Sequence, residues 1–139
     1  FAAEVVEIGG WRFGFVGGWP RRILPAAQPT TKAPRMPAIP FGADSSPEEF
    51  AAKVESLGPV DVLCSHVPPA VPELRWDTVT RRPEVASEAL LAAIERHQPR
   101  YALFGHVHQP LQQRLRIGRT ECVNVGHFRA TGKPFVLEW

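Results

Sequence analysis

Apolar and polar positions change rhythm several times along this chain. Glu4-Val5-Val6-Glu7-Ile8 and Trp11-Arg12-Phe13-Gly14-Phe15-Val16 are short runs rich in β-branched and aromatic residues, separated by Gly9-Gly10. Two residues free to take positive φ between two such runs predict a β-hairpin. Ser46-Pro47-Glu48-Glu49 reads as a helix start, with Ser at the N-cap, Pro at the first helical position and Glu at the third. That helix runs through Phe50, Val54 and Leu57 and stops at Gly58. Residues 60–65 are mostly apolar and partly β-branched, which suits a buried strand. A proline-rich loop over 67–82 precedes a second predicted helix over 83–97, with Val85, Leu90, Leu91 and Ile94 facing inward. Tyr101–Phe104 predicts another buried strand, ended by Gly105. Leu111, Gln113, Leu115 and Ile117 alternate with Gln112, Arg114 and Arg116, a half-buried strand by its period of two. Gly118-Arg119 turns it, 120–125 returns, and 135–139 is the last predicted strand. No internal repeat is present.

Buried strands alternating with helices, followed by an alternating tail, predict a layered α/β core with antiparallel strands added at its edge. At 139 residues the chain is about one domain on the usual prior of roughly 100–200. A hydrophobic share of 44% and a charged share of 22% exclude wholesale disorder. No apolar run approaches the roughly 18 residues a membrane span requires. The net charge of +2 calls for neither a nucleic-acid nor a membrane partner. Cys64 and Cys122 cannot form a disulfide framework, so a reduced, cytoplasmic setting is expected. The first residue is Phe1, and no leader pattern follows it, so a piece of a longer protein is expected. Proline, at 15 residues, is about twice its usual share of roughly 5%. Much of it lies in 19–46, which also carries Arg21, Arg22, Lys32 and Arg35. That segment reads as a long, stiff, basic loop inserted in the domain.

The chemistry concentrates in histidine. His66 follows the predicted strand 60–65, and His106 and His108 follow Tyr101–Phe104. Ligand sites of open α/β sheets form beyond the carboxyl ends of strands. Two strand ends that both deliver imidazole therefore make a candidate metal site. In an extended segment His106 and His108 would point the same way roughly 6.5 Å apart, which suits two metals about 3.5–4 Å apart better than one. His97 ends a helix, where it complements the dipole. His127 and Asn124 are the remaining candidates for lining a substrate pocket. Their plainer roles are a solvated loop histidine and a backbone-fixing asparagine. Cys64, two residues before His66, is either a soft metal ligand or a small core residue.

The blocks Asp61-Val62-Leu63-Cys64-Ser65-His66-Val67-Pro68-Pro69, a helix started at Ser87, Leu103-Phe104-Gly105-His106-Val107-His108 and Val123-Asn124-Val125-Gly126 together resemble the calcineurin-like metallophosphoesterases. The likeness covers nearly all of the chain. It implies the C-terminal half of a layered α/β/β/α sandwich, with 1–139 as part of one metallophosphoesterase domain. It also implies two divalent metal ions, with Mn, Fe, Zn, Ni and Co not distinguished. His66 and His106 would bind one of them and His108 the other. A metal-bridging hydroxide would then attack phosphorus in a small phosphoester, diesters ahead of monoesters. The family's Asp-x-His, Gly-Asp-x-x-Asp and Gly-Asn-His blocks do not occur here. No catalytic residue is therefore assigned in this chain, the isolated chain is expected to be inactive, and the missing N-terminal half is its expected partner. The competing expectations are a non-catalytic binding module on the same scaffold, and a single structural zinc held by His66, His106, His108 and Cys64. Nucleic-acid binding would rest on the basic loop alone.

Overall fold

The computed structural model describes residues 3–20 and 44–138, so most of the expected basic loop, 21–43, lies outside the described residues. Strand β1 (Ala3–Ile8) pairs antiparallel with β2 (Trp11–Val16). Gly9 and Gly10 have φ of 59° and 82°, the positive pair that a tight two-residue hairpin turn demands. Two-residue strands β3 (Trp19–Pro20) and β4 (Asp44–Ser45) pair with each other. Helix α1 (Pro47–Leu57) begins with the expected reciprocal cap. The Glu49 amide donates to Ser46 Oγ at 3.1 Å, and the Ser46 amide donates to Glu49 Oε2 at 3.4 Å. After β5 (Val62–Ser65) the chain makes a short helix α2 (Pro72–Arg75) and a small hairpin of β6 (Trp76–Asp77) with β7 (Arg82–Pro83). Helix α3 (Glu88–His97), β8 (Tyr101–Phe104), β9 (Arg114–Ile117), β10 (Thr120–Asn124) and a final turn of helix α4 (Phe128–Thr131) follow.

Three expectations need correction. The second helix starts at Glu88, not at 83, because the Leu90 amide bonds Ser87 Oγ at 3.1 Å and makes Ser87 the N-cap. Pro83 is taken by the small hairpin, and Val85 is only half-buried. The alternating strand is shorter than 111–117, and Leu111 is left 57% exposed. Residues 132–138 form no strand; position 139 lies outside the described residues.

The main sheet has six strands in the order β1-β2-β5-β8-β10-β9. Its centre is parallel, β2 with β5, β5 with β8 and β8 with β10, and both edges are antiparallel. The protein is thus a mixed α/β fold. One face of the sheet packs on α1 and α3 through Val16, Leu63, Ala102 and Phe104 against Phe50, Val54, Leu90 and Ile94. Each buried Val, Leu, Ile or Phe side chain there contributes roughly 1.5–3 kcal/mol. Gly14 lets α1 approach closely, since a Cβ there would stand 3.2 Å from Leu57 Cδ1 and 3.1 Å from Val60 Cγ1. The opposite face is also apolar. Phe13 and Phe15 stack along it with ring centroids 6.3 Å apart. Phe13, Leu103 and Val125 line a groove of about 460 Å³ that is shared with Phe135 and Leu137 from the C-terminal segment. Apolar residues on both faces are what a buried parallel sheet requires. No helix among the described residues is long and apolar enough to cross a membrane.

Candidate functional site

Neighbouring parallel strands deliver the first two histidines. Cys64 of β5 is in register with Leu103 of β8, so the chain leaves both strands side by side at their carboxyl ends. There the Gly105 amide donates to the carbonyl of His66 at 3.0 Å and ties the two exits together. The next residue departs from the expected extended segment. His106 has φ of 65°, and the Val107 amide reaches back to the Gly105 carbonyl at 2.8 Å. A hydrogen bond over two residues around a positive-φ centre is the rare, strained form of γ-turn. Such a conformation costs a non-glycine residue on the order of 1–3 kcal/mol and persists only where its surroundings enforce it. Asn124 enforces it from β10. Its Nδ2 donates to the Val107 carbonyl at 2.7 Å, and its Oδ1 accepts from the Gly126 amide at 2.9 Å.

This turn aims His106 at His66. His106 Nδ1 and His66 Nε2 stand 3.2 Å apart, with the rings edge to face. Both imidazoles are held below the ordinary histidine value. Burial is the main cause for each. The neighbouring histidines add to it at His66, while at His106 the Glu84 carboxylate opposes burial and His108 adds to it. Neutral rings with facing nitrogens are the protonation state that metal ligation needs. The spacing fits as well. Two nitrogens each about 2.0–2.1 Å from one tetrahedral ion stand roughly 3.4 Å apart. The same 3.2 Å is also an N–H···N hydrogen bond between two neutral rings.

His108 takes no part in the facing contact of that pair. Because the chain turns at His106, the two residues do not project in parallel as an extended segment would place them. His108 instead stacks on His127, with ring centroids 4.0 Å apart and planes 15° from parallel. The Asp77 carboxyl is held below the usual range, chiefly by the hydrogen bond Oδ1 accepts from the Thr80 amide; burial opposes this, and the Val79 amide and nearby His108 add to it. Among the described residues, no group of three or more His, Cys, Asp or Glu side chains is placed to hold a metal ion. The expected four-ligand zinc site is therefore not assembled. Burial also pushes the Cys64 thiol up to about 11, away from the thiolate a zinc ligand must be. Asn124 is buried with both ends of its amide engaged by backbone, which is the backbone-fixing role. His127 is half-buried in the stack.

One site residue escapes a reading of the sequence. Glu84 Oε2 lies 3.8 Å from His106 Nε2, on the far side of the ring from His66. As a residue expected inside a helix it carried no signal. The cue was Ser87, whose capping role displaces Glu84 from that helix and into the hairpin region beside the site.

No family model and no curated protein matches this chain. One solved crystal structure aligns with 91% of this chain and 45% of its own, at 18% identity and a TM-score of 0.56. A hypothetical protein from Thermus thermophilus aligns with 90% of this chain and 38% of its own, at 16% identity and a TM-score of 0.43. The chain thus spans less than half the length of either structure, and the first of these likenesses extends to the fold alone.

Proposed function

We propose that this chain supplies the histidine side of a divalent-metal centre that hydrolyses a phosphoester, within a metallophosphoesterase-like sandwich of which it forms the C-terminal part. The observation that carries the proposal is the 3.2 Å approach of His66 Nε2 and His106 Nδ1 at two adjacent parallel strand ends. When bound, divalent ions supply Lewis-acid stabilisation of the phosphoryl charge and a nucleophile drawn from water. The chain's own residues do the rest. His66 and His106 would hold one ion through the facing nitrogens, and burial, which lowers both below the ordinary histidine value, favours the neutral rings that ligation needs. His108, which stacks on His127, would be the ligand for the second ion. Asn124 and the γ-turn keep the His106 ring aimed, so little rotamer freedom is lost on ligation. Diesters stand ahead of monoesters on the sequence resemblance alone.

Three histidine ligands do not complete a two-ion centre, so the active unit needs oxygen ligands from residues beyond this chain. The apolar sheet face with Phe13, Phe15, Leu103 and Val125 is where a complementary layer would pack. Dialysis of the purified chain against Mn²⁺ or Zn²⁺ tests the first part. One bound ion is expected, and no bound ion would overturn the reading. With bis(p-nitrophenyl) phosphate the chain alone should turn over far below the roughly 1 s⁻¹ of slow enzymes.

The absence of a three-ligand group among the described residues favours one second reading, a binding module on the same scaffold. It predicts no metal uptake even when the complementary residues are supplied.

A further inference from the structure

The His106 ring is gripped from two sides, and the two sides differ in kind. Nδ1 faces another imidazole, His66 Nε2, at 3.2 Å. Nε2 faces the Glu84 carboxylate at 3.8 Å, with both side chains 22% exposed. A carboxylate only accepts, so the ring nitrogen turned toward it is favoured as N–H. We infer that Glu84 is a positioning residue: it fixes His106 as the Nε2–H tautomer and so leaves the Nδ1 lone pair directed at His66. This rests on the metal-centre reading for its use, but not for its test.

The placement of Glu84 is built. Its amide donates to the Arg75 carbonyl at 2.8 Å, and its own carbonyl accepts from Arg75 Nε at 3.1 Å and Nη2 at 2.9 Å. The backbone of Glu84 is therefore pinned on both sides by one residue of α2. That region is fastened in turn to the segment after the histidines. The Gln112 amide donates to the Glu73 carbonyl at 3.0 Å, and the Thr78 amide and hydroxyl both donate to the Gln109 carbonyl, at 2.9 and 3.1 Å. Arg82 Nε lies 3.5 Å from Glu84 Oε1 on the side away from the histidine. The 3.8 Å gap to His106 is longer than a hydrogen bond, and side-chain movement of roughly 1 Å closes it. A carboxylate behind a ligating imidazole orients the ring and raises its basicity, and losing such a partner typically lowers metal affinity by about 10–100-fold.

The test uses the full chain with ¹⁵N-labelled histidine, held near neutral pH and free of metal, as wild type and as the Glu84→Gln and Glu84→Ala variants. Long-range ¹H–¹⁵N spectra report which ring nitrogen of His106 carries the proton. Wild type should show Nε2–H. Glu84→Gln should keep it, because an amide oxygen still accepts, and Glu84→Ala should shift His106 toward Nδ1–H. Both variants retain the backbone bonds to Arg75, and a circular-dichroism melt verifies that they fold. Zn²⁺ titration by calorimetry then should show Glu84→Ala binding about 10–100-fold more weakly than wild type, with Glu84→Gln in between. An unchanged tautomer in Glu84→Ala overturns the inference. So does a shifted tautomer with wild-type zinc affinity, which would leave Glu84 with no bearing on ligation. If wild type itself binds no Zn²⁺ while the tautomer shifts as expected, Glu84 keeps its assigned role and the metal-centre reading falls.

Discussion

The two ends of the parallel strands carry different side-chain contacts. At the amino ends, Asp61, Gln98 and Thr120 close on backbone. Asp61 Oδ2 accepts from the Arg12 amide at 2.8 Å, and the Asp61 carbonyl accepts from the amides of Arg100 and Tyr101. Gln98 Oε1 takes the Arg119 amide at 2.6 Å, and the buried Thr120 hydroxyl donates to the Pro99 carbonyl at 2.5 Å. At the carboxyl ends, ring nitrogen faces ring nitrogen and ring stacks on ring. Bonds to backbone fix the chain, whereas the facing imidazoles pair side chain with side chain at 3.2 Å. The same sheet thus carries one end tied by side chain to backbone and one where imidazoles meet, and the proposed chemistry would sit at the second.

Substitutions should separate the two ends. The largest effect is expected for His66→Ala and His106→Ala. Each should weaken Zn²⁺ binding by at least about a hundredfold, beyond the usual effect of losing an outer partner, as read by calorimetry on the folded chain. In a complete enzyme, His108→Ala should remove a different ion from the one His106→Ala removes, which metal analysis of the two variants would show. Asn124→Ala comes next. It strips two hydrogen bonds from a buried site and should lower unfolding stability by roughly 2–3 kcal/mol in urea titrations, while also loosening the His106 turn. Thr120→Val, at the opposite end, should cost about 1 kcal/mol and leave metal affinity unchanged. Loss of metal affinity in that variant would dissolve the contrast.

Two subtler measurements sharpen it further. His66 and His106 are held below the ordinary histidine value in the folded chain, so the unfolded chain binds protons there that the folded chain refuses. Stability should therefore be fully present above about pH 6.5 and decline as pH falls through that value toward the lowered ones. Urea titrations across that range should show a weaker decline in the double variant His66→Gln, His106→Gln. The smallest effect is expected for His106→Gly. Relief of the positive-φ strain offsets the greater chain entropy of glycine, so stability in urea titrations should stay within about 1 kcal/mol of wild type.

Much of this was legible in the sequence where one local signal decides the outcome. The Gly9-Gly10 turn, the Ser46 capping box and the apolar runs behind β5 and β8 each carry their own cue. The strand-end rule was also sufficient to bring His66 and His106 together. What was not legible depends on distant partners. The positive φ of His106 is imposed by a cap from Asn124, a residue 18 positions later. The stack of His108 on His127 and the approach of Glu84 follow from how loops dock, which no periodicity encodes. The run from Phe135 alternates in sequence like a strand, yet residues 135–138 form none, and Phe135 and Leu137 line the apolar groove instead.

The facing imidazoles belong to residues 40 positions apart, carried by two strands that must already lie side by side. Contacts of that separation form late, after loop-closure entropy has been overcome. An ion that bridges His66 and His106 would then grip something absent from the early, partly ordered chain. Its signature would be kinetic. It would slow escape from the native state while leaving the refolding rate nearly untouched, so the unfolding arm of a chevron would move with metal and the folding arm would not.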